Sequence, residues 1–308
     1  MKLTCTILIP NYNGKEMLSE CLPSIMDAVK RRGDRDEIIV IDNASTDDST
    51  AFLRSEYPQV KTLSLTENRA IFAVNDGARA AQNEIMVLLN NDMIVEPDFL
   101  DPMLEHFADE AVFAVTGKVY QWNKSTIQGC RRRAVFSRGF FWYVNDLAAP
   151  DSQGLTLHAL GGQSAYHKTK FLELCGFDTL FSPFYHEDLD ISYRAYKRGW
   201  RIVYEPRSVM YHRGAATAGK LYSRGELDIF LQKNLFLFIW KNIHDPALWA
   251  QHWCLLVPRL ILSAVRGDLS HAFGFFGAVR QFRPAMRRRA EARVEARISD
   301  REVLRLLK

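Results

Sequence analysis

The sequence predicts an α/β protein built on a mostly parallel sheet with helices on both faces. Short β-branched runs alternate with helix-patterned segments through the first 92 residues. The fourth run, "EIMVLLNND", is apolar on both faces of the strand, as in a sheet that is covered on both sides. With 47% hydrophobic and 25% charged residues among 308, the composition is that of a globular protein.

The first elements of the sheet follow in order from the N-terminus. The opening stretch has one lysine and too short an apolar run for a signal peptide, so we interpret "CTILIP" as the first strand. A helix is predicted over "KEMLSECLPSIMDAVKRR" and a second strand over "EIIVID". "STDDST" is a typical helix start, "VKTLSLT" is the third strand, and "AVNDGARAAQN" is a short helix before the fourth strand.

The second half of the chain has a weaker pattern. Residues 118–165 mix arginines, aromatics and turn residues without a clear period, which predicts a loop-rich region that sets specificity. A helix is predicted over "EDLDISYRAYKRG", followed by strands at "RIVYEP" and "RSVMY". Beyond residue 220 the pattern is helical, and "LWAQHWCLLVPRLILSAV" is apolar but too interrupted by polar residues and proline to predict a membrane span.

Charge and cysteine usage narrow the class of protein. The net charge is +4, and residues 283–308 hold nine Lys or Arg against four Asp or Glu, so the positive charge lies in this tail. Such a tail suits the phosphates of anionic lipid, of nucleic acid or of a phosphorylated substrate, although many charge runs are simply solvated helix faces. Five scattered cysteines without a C-x-x-C spacing argue against a disulfide framework or a zinc site and favour a reducing cytosol.

Polar residues follow three strands of the predicted parallel sheet at their carboxyl ends, where ligands bind in such sheets. They are Asn11, Asn13, Asp42, Asn43, Asn91 and Asp92. No G-x-G-x-x-G or G-x-x-x-x-G-K-[ST] follows any strand, so the dehydrogenase and P-loop interpretations lose their main support. Asp92 has no helix start to cap, because the next helix begins only near Pro97. A strand-end carboxylate with oxygen-rich neighbours suits a hard divalent cation.

A second acidic cluster begins the helix after residue 186. Glu187, Asp188 and Asp190 lie in its first turn, where the helix dipole stabilises a negative charge by about 0.3 to 1 kcal/mol, which accounts for one of the three. The preceding "GFDTLFSPFYH" is rich in aromatics, and a carboxylate beside such a wall would be partly desolvated and a better base. His212 after "RSVMY" is a further candidate ligand or phosphate contact, although a lone histidine is more often structural.

Five motifs together carry a family resemblance. "TILIPNYNG", "IIVIDNASTDDST", "VLLNNDM", "GFDTLFSPFYHEDLDISYRAYKRGWRIVYEP" and "VMYH" occur in this order. With them the chain resembles an inverting glycosyltransferase of family 2 with the GT-A fold, over residues 3 to about 240. It is most similar to the rhamnosyltransferase-like branch, which builds bacterial surface polysaccharides.

The resemblance implies a donor side. The residues expected to bind the nucleotide sugar are Pro10, Asn11, Asn13, Asp42, Asn43, Ser45, Asn68, Asn75 and Asn91. Asp92 is the surviving acid of the family's D-x-D motif, whose first position is Asn90 here. It is expected to hold Mg²⁺ or Mn²⁺, with His212 as a further ligand or as a contact to the leaving group. The chain departs from the family at Ala70, where members usually have glycine.

The resemblance also implies an acceptor side. Asp188 matches the general base and Glu187 is its catalytic neighbour. Gly161 and Gly162, in "LGGQS", are expected to form the floor of the acceptor pocket together with His186.

These observations lead to one expected function and two alternatives. We expect a cytoplasmic, metal-dependent, inverting transferase that moves a sugar from a UDP- or dTDP-sugar to a hydroxyl of a glycan or lipid-linked glycan. One alternative is a sugar-phosphate nucleotidyltransferase, although "PNYNGKE" supplies only Gly14 and Lys15 of the glycine-rich basic loop that it would need. The other is a catalytically inactive module that binds nucleotide sugars or glycans.

The predicted organisation has a catalytic domain and a helical extension. Residues 1–220 form the catalytic domain, with a nucleotide-sugar half over 1–92 and an acceptor half over 93–220. Residues 221–308 form a basic, helical extension. We expect residues 248–308 either to rest on the anionic inner face of the cell membrane or to form a helix pair that dimerises in a homodimer or packs within the chain, and we expect no nucleic-acid partner.

Overall fold

The computed structural model describes residues 3–214 and 222–308. Strands over these residues are β1 (Cys5–Asn11), β2 (Glu37–Asp42), β3 (Lys61–Ser64), β4 (Ile85–Leu89), β5 (Met93–Val95), β6 (Val112–Gln121), β7 (Ile127–Gly129), β8 (Arg132–Ser137), β9 (Phe140–Asn145), β10 (Gly154–Leu155), β11 (Gln163–His167) and β12 (Arg201–His212). The helices are α1 (Lys15–Arg31), α2 (Ser49–Glu56), α3 (Val74–Ala80), α4 (Leu100–Glu105), α5 (Lys168–Glu173), α6 (Glu187–Lys197), α7 (Arg224–Asn242), α8 (Pro246–Val265), α9 (Ser270–Val279), α10 (Phe282–Glu295) and α11 (Asp300–Leu306).

The main sheet has the strand order β10-β12-β6-β11-β4-β1-β2-β3. Strands β1 to β4 are mutually parallel where they pair, so their carboxyl ends lie at one edge. At that edge Asn11 of β1 is in register with Asp42 of β2. The predicted α/β class with a parallel-dominated sheet is confirmed, and the crevice expected at the strand ends has the required topology.

The loop-rich prediction for residues 118–165 is wrong in part. Strand β11 lies between β4 and β6 and is antiparallel to both, while β8 and β9 form a separate hairpin. These strands are short, and β11, "QSAYH", mixes polar and apolar residues, so no period of two marks it. Its place in the sheet comes from pairing with strands that are distant in sequence, which local pattern does not report. The two strands predicted over 201–211 are one strand, β12, with an irregularity between Glu205 and Val209.

The hydrophobic core lies on both faces of the sheet. On one face α1 packs with Leu18, Leu22 and Ile25 against alternate residues of the central strands. On the other face the buried residues of α3, α5, α6 and α7 belong to one cluster, which also holds Leu8 and Leu88 of the sheet. Helix α7 therefore packs in the same core as the parallel strands. The predicted domain boundary at 220 lies outside the described residues and stays a prediction.

The basic C-terminal tail is packed against the rest of the protein. Asp300, at the start of α11, is buried and accepts hydrogen bonds from the Tyr193 hydroxyl at 2.9 Å and from Lys197 Nζ at 2.8 Å, both on α6. On α10, Arg289 donates to the Trp240 carbonyl at 3.0 Å and lies 4.0 Å from the centre of the Trp249 ring. The positive charge of Arg289 in the tail therefore makes contacts within the protein.

Candidate active site

The donor-side edge is organised around two buried asparagines. Asn91 Nδ2 donates to Asn11 Oδ1 at 2.8 Å, and the Asn11 carbonyl accepts from the Asn43 backbone N–H at 2.8 Å. A Cβ on Gly14 would lie 2.3 Å from Asn91 Nδ2, so this close approach requires glycine at the start of α1. Asn11, Asn43 and Asn91, which the sequence assigns to nucleotide-sugar binding, are brought together at three neighbouring strand ends. Pro10 precedes Asn11 in β1.

The loops after β1 and β2 are tied to each other by side chains. Ser45 Oγ accepts from the Asn13 backbone N–H at 3.0 Å, and Asn13 Oδ1 accepts from the Thr46 N–H at 2.7 Å. Asp42 Oδ1 accepts from the Ser45 N–H at 3.4 Å. Because each loop holds the other, Asn13, Asp42 and Ser45 share one rigid rim of the crevice.

The third part of the donor side is the segment before α3. Asn43 donates from Nδ2 to the Ala70 carbonyl at 2.8 Å and accepts from the Arg69 N–H at 2.9 Å. Asn68 Oδ1 accepts from the Ala70 N–H at 2.8 Å. Ala70 has φ of 49°, in the left-handed region that favours glycine. This backbone shape gives the physical reason for the glycine expected at this position, and alanine adopts it here under strain.

Asn75 has a different environment from the other donor-side candidates. Its Nδ2 donates to the Phe177 carbonyl at 2.9 Å, and its Oδ1 accepts from the Phe177 N–H at 2.9 Å. Both groups of the amide are thus bonded to one backbone residue. In this structure Asn75 links α3 to the segment that precedes α6.

Asp92 and His212 form a close pair at the end of β12. His212 Nε2 is 3.2 Å from Asp92 Oδ1, and His212 Nδ1 is 3.1 Å from Gln128 Oε1. The pair is brought together because His212 on β12 is in register with Met93 on β5, the residue after Asp92. The two residues, which are far apart in the chain, thus lie side by side, and their shared role in metal binding stays a prediction.

The Asp92–His212 pair has a donor set that suits a divalent cation. When Nδ1–H donates to Gln128, Nε2 presents a lone pair to the Asp92 carboxylate, and a cation between these two acceptors would satisfy both. Among residues 3–214 and 222–308 no group of three or more His, Cys, Asp or Glu side chains could hold a metal. Mg²⁺ takes few protein ligands and usually keeps several waters, so a two-residue site is compatible with such a cation.

Asn90, at the first position of the D-x-D motif, connects the donor side to the acceptor side. Its backbone N–H donates to the Gly162 carbonyl at 2.9 Å. Gly162 has φ of 81°, and a Cβ on it would lie 2.1 Å from Asn90 Oδ1. The asparagine side chain thus packs directly on the Gly161–Gly162 turn, which explains why glycine is needed there.

The acidic pair at the start of α6 lies beside the same turn. The Gly161 N–H donates to Asp188 Oδ2 at 3.0 Å, which fixes one carboxylate oxygen. The Asp188 side chain is 18% exposed, whereas Glu187 is buried. The sequence predicts a partly desolvated Asp188, but in the structure Glu187 is the more buried of the two carboxyl groups. Burial, and then the neighbouring charge of Asp188, raise the pKa of Glu187 to about 8, so Glu187 keeps its proton at neutral pH.

Three residues of this pocket were missed by sequence reasoning, namely Arg132, Tyr143 and His158. The Tyr143 hydroxyl is 3.3 Å from His186 Nε2, and Arg132 Nη1 is 2.7 Å from His158 Nε2. His158 Nε2 lies 3.8 Å from Asp188 Oδ2. Burial lowers the pKa of both histidines, that of His186 to about 4, so both are neutral at physiological pH. All three missed residues come from the segment in which no periodic pattern was visible.

The pocket contains buried polar atoms without a protein partner. Among the described side chains these include Nδ1 of His158, Nδ1 of His186 and Oε2 of Glu187. Buried polar atoms are normally hydrogen-bonded, so this cluster has hydrogen-bonding groups left for water or for a polar ligand. His186 also has a left-handed backbone, with φ of 72°, directly before α6.

Helix α7 holds the segment before α6 from behind. Asn234 is buried, and its Nδ2 lies 2.7 to 3.0 Å from the carbonyl oxygens of Phe181, Phe184 and Tyr185. On the same helix Lys241 Nζ is 2.8 Å from the Asp190 carboxylate. Asp190, the third acid of the cluster, is therefore a structural ion-pair partner.

The chain was compared with known proteins. The model of the family described as "Glycosyl transferase family 2" matches residues 6–173, which is more than half of the chain. The chain belongs to glycosyl transferase family 2. It is 26% identical over 224 residues to the poly-beta-1,6-N-acetyl-D-glucosamine synthase of Staphylococcus aureus strain COL, covering 71% of this chain and 52% of that protein. The Staphylococcus epidermidis protein of the same name is 25% identical over 225 residues. The chain thus spans about half the length of these curated relatives.

Solved structures show that this member of glycosyl transferase family 2 has a known fold. GalNAc-T7 with UDP, GalNAc and Mn²⁺ superposes with a TM-score of 0.63 at 18% identity, over 79% of this chain and 48% of that one. The mannosyltransferase PcManGT from Pyrobaculum calidifontis, in complex with GDP-Man and Mn²⁺, gives 0.55 at 18% identity, over 94% and 85%. The expected GT-A fold is confirmed by these neighbours.

Proposed function

We propose that this chain is an inverting, metal-dependent glycosyltransferase that moves a sugar from a UDP- or dTDP-sugar to a glycan hydroxyl. One observation carries the proposal. A continuous series of contacts runs from the Asn11–Asn91 pair, through Asn90 and the Gly161–Gly162 turn, to Asp188. The family membership and the polysaccharide synthases among its relatives support a role in polysaccharide synthesis. Within the family we keep the rhamnosyltransferase-like branch as the expected subgroup.

On the donor side, the strand-end residues bind and orient the nucleotide diphosphate. Asp42 lies on the rigid rim where the base is expected, and Asn11, Asn43 and Asn91 lie behind it. Asp92 and His212 would hold Mg²⁺ or Mn²⁺, which when bound supplies positive charge for the departing diphosphate. Stabilisation of that developing charge is usually the largest single term in such a transfer.

On the acceptor side, Asp188 serves as the general base. The acceptor hydroxyl transfers its proton to the Asp188 carboxylate as its oxygen bonds to the anomeric carbon, and the bond from that carbon to the diphosphate breaks on the opposite face. The configuration at the anomeric carbon is thereby inverted. The Gly161 N–H fixes Asp188 Oδ2. Glu187, which is protonated at neutral pH, is suited to donate a hydrogen bond to a substrate oxygen.

The deciding experiment is a transfer assay with a panel of nucleotide sugars and short glycan acceptors. We expect release of nucleoside diphosphate and a glycoside product whose anomeric configuration, read by NMR, is opposite to that of the donor. Formation of a nucleotide sugar from a nucleoside triphosphate and a sugar phosphate would instead identify a nucleotidyltransferase. Donor binding in calorimetry without turnover on any acceptor would identify a binding module.

We also place the protein on the cytoplasmic face of the cell membrane, with a glycan or lipid-linked glycan as acceptor. The support comes from α8, a helix over Pro246–Val265 that is long and apolar enough to cross a membrane and of which little is buried. A homodimer through the same region is the competing arrangement.

A further inference from the structure

Exposed apolar side chains of the described residues concentrate on α8 and α9. Nine large apolar side chains that are more than a third exposed lie within 253–279, and we call them the apolar face: Trp253, Val257, Ile261, Leu262, Val265, Leu269, Phe273, Phe276 and Val279. Val257, Ile261 and Val265 follow each other at a spacing of four, which puts them on one side of α8. Exposed apolar side chains concentrated in this way mark a site of interaction with a protein or a membrane.

The opposite side of α8 is bonded to the rest of the protein. His252 is buried, and its Nδ1 lies 2.7 Å from the Gly139 carbonyl in the β8–β9 turn. His252 Nε2 accepts from Trp240 Nε1–H of α7 at 3.0 Å. A Cβ on Gly139 would lie 2.8 Å from the Gln251 carbonyl, so the hairpin turn contacts the helix backbone directly. Helix α8 therefore lies flat along the domain.

Arg259, in the middle of α8, also faces the domain. Its guanidinium lies 4.2 Å from the centre of the Phe140 ring and 4.5 Å from that of Trp142, and it is 3.1 Å from His271 Nε2. If α8 crossed a bilayer, these contacts would be lost, and His252 and Arg259 would enter hydrocarbon without their partners. The geometry thus favours a helix that lies in the membrane plane over one that spans it.

The charges around the apolar face are mostly positive. Arg266 follows α8, and Arg280 and Arg283 follow α9, all three exposed. Asp268 is the single acidic residue within 246–279, and its carboxylate already accepts from Ser270 Oγ at 2.6 Å. An apolar surface rimmed by arginines suits anionic headgroups, whereas in a pair of copies the two cationic rims would meet and repel.

We propose that the apolar face of α8 and α9 docks in the plane of an anionic membrane and presents the acceptor side to that surface. The second part rests on the proposed function and on β9. On one side of β9, Phe140 and Trp142 contact Arg259. On the other, the Tyr143 hydroxyl is 3.3 Å from His186 Nε2. Helix α8 and strand β9 lie between the apolar face and the acceptor pocket, and this short path fits an acceptor glycan carried on a lipid.

The first test is co-sedimentation of the full chain with vesicles. We expect binding to phosphatidylcholine vesicles that contain phosphatidylglycerol at low salt, weak binding to phosphatidylcholine alone, and release by high salt or alkaline carbonate. The triple variant Val257→Asn, Ile261→Asn, Phe273→Asn should lose at least about tenfold in affinity, because three apolar side chains no longer enter the interface. Val294→Asn is the matched control, since Val294 is 88% exposed on α10 outside the apolar face.

Each other outcome of this test overturns the docking proposal. Retention in the vesicle pellet after carbonate would show that α8 spans the bilayer. Absence of vesicle binding, together with a dimer in analytical ultracentrifugation that the triple variant converts to monomer, would assign the apolar face to a second copy. Equal loss of binding in Val294→Asn would show that the nine residues have no special role.

The second test concerns the acceptor and separates this inference from the proposed function. Transfer is measured to one glycan, either free in solution or attached to a lipid in the anionic vesicles. The triple variant should slow transfer to the vesicle-borne glycan about tenfold and leave transfer to the free glycan unchanged. If the triple variant transfers to the vesicle-borne glycan as fast as the wild type does, or slows transfer to both glycans by the same factor, the lipid-linked assignment is overturned. If the wild-type chain binds vesicles but transfers to neither glycan, the proposed function fails and the docking surface stands.

Discussion

The donor side and the acceptor side of the site are built in different ways. The donor side consists of loops that directly follow β1, β2 and β4, and its side chains bond to each other and to nearby backbone. The acceptor side is assembled from the β8–β9 hairpin, the loop before β11 and the start of α6, and α7 holds it from behind. The donor side is thus held mainly by the strand-end loops and their mutual hydrogen bonds, whereas the acceptor side depends on α6 and α7, which lie beyond the residues 6–173 that the family model matches.

The metal pair gives the largest expected effect on the donor side. Transfer should be lost in EDTA and recovered on addition of Mg²⁺ or Mn²⁺. Asp92→Ala should lower transfer by about 10²-fold or more, because the variant retains only His212 of the pair. Asp98→Ala, which removes an exposed carboxylate before α4, is the matched control and should be neutral. Undiminished transfer in EDTA would remove the metal assignment.

Asp188→Asn gives the corresponding test on the acceptor side. The asparagine keeps the hydrogen bond from Gly161 but cannot accept a proton, so transfer should fall by about 10² to 10⁴-fold. Donor binding, measured by calorimetry, should be unchanged because donor-side contacts are separate. Glu187→Gln should cost less, since Glu187 already holds its proton at neutral pH. Near wild-type transfer by Asp188→Asn would refute the base assignment, and loss of donor binding would make Asp188 structural.

Asn234→Ala tests whether α7 orders the acceptor side. Removing this amide leaves the carbonyl oxygens of Phe181, Phe184 and Tyr185 without their buried donor. We expect kcat to fall by about tenfold with donor affinity unchanged, and the free energy of unfolding to fall by about 1 to 3 kcal/mol. Gln153→Ala, at an exposed position, is the control. A variant that loses stability and donor affinity but keeps its kcat would restrict α7 to a general packing role.

The raised pKa of Glu187 makes a prediction about pH. Its pKa rises from the ordinary value of 4.5 in the unfolded chain to about 8 in the folded one, so folding favours the protonated form. The stabilisation is present below about pH 4.5 and is lost as the pH rises through about 8. Relative to Glu187→Gln, the wild-type free energy of unfolding should therefore decrease over this range, as measured by urea denaturation. A constant difference between pH 5 and 8 would contradict the buried environment of Glu187.

Ala70→Gly should give the smallest effect. Glycine relieves the left-handed strain at φ of 49° but adds conformational entropy to the unfolded chain, so we expect a gain of about 0.5 kcal/mol. Ala78→Gly, inside α3 and buried, is the matched control and should cost about 1 kcal/mol. Thermal unfolding measures both. A loss of stability in Ala70→Gly would show that the alanine side chain makes a contact worth more than the strain.

The same contrast explains what the sequence could predict. The strand ends carrying Asn11, Asp42 and Asn91 were recognised because local pattern places parallel strands and their polar termini. The start of α6 was recognised with Glu187 and Asp188, but the buried member of the pair is Glu187, which depends on neighbours far away in the chain. Tyr143 and His158 were missed because their strand and loop have no periodic pattern, and only long-range pairing brings them to the site.

The register of strand β9 matters because its two faces contact different parts of the protein. Its side chains alternate, so Trp142 faces Arg259 on α8 while Tyr143 faces His186 in the pocket. A slip of one residue would exchange these faces and damage both surfaces at once. Sequence changes in the hairpin are thus limited to those that keep each side chain of β9 on its present face. We therefore expect the insertion of a single residue at the Arg138–Gly139 turn to disrupt both faces, even though loops usually tolerate insertions. Substitutions on β9 that keep the register change one face without disturbing the other.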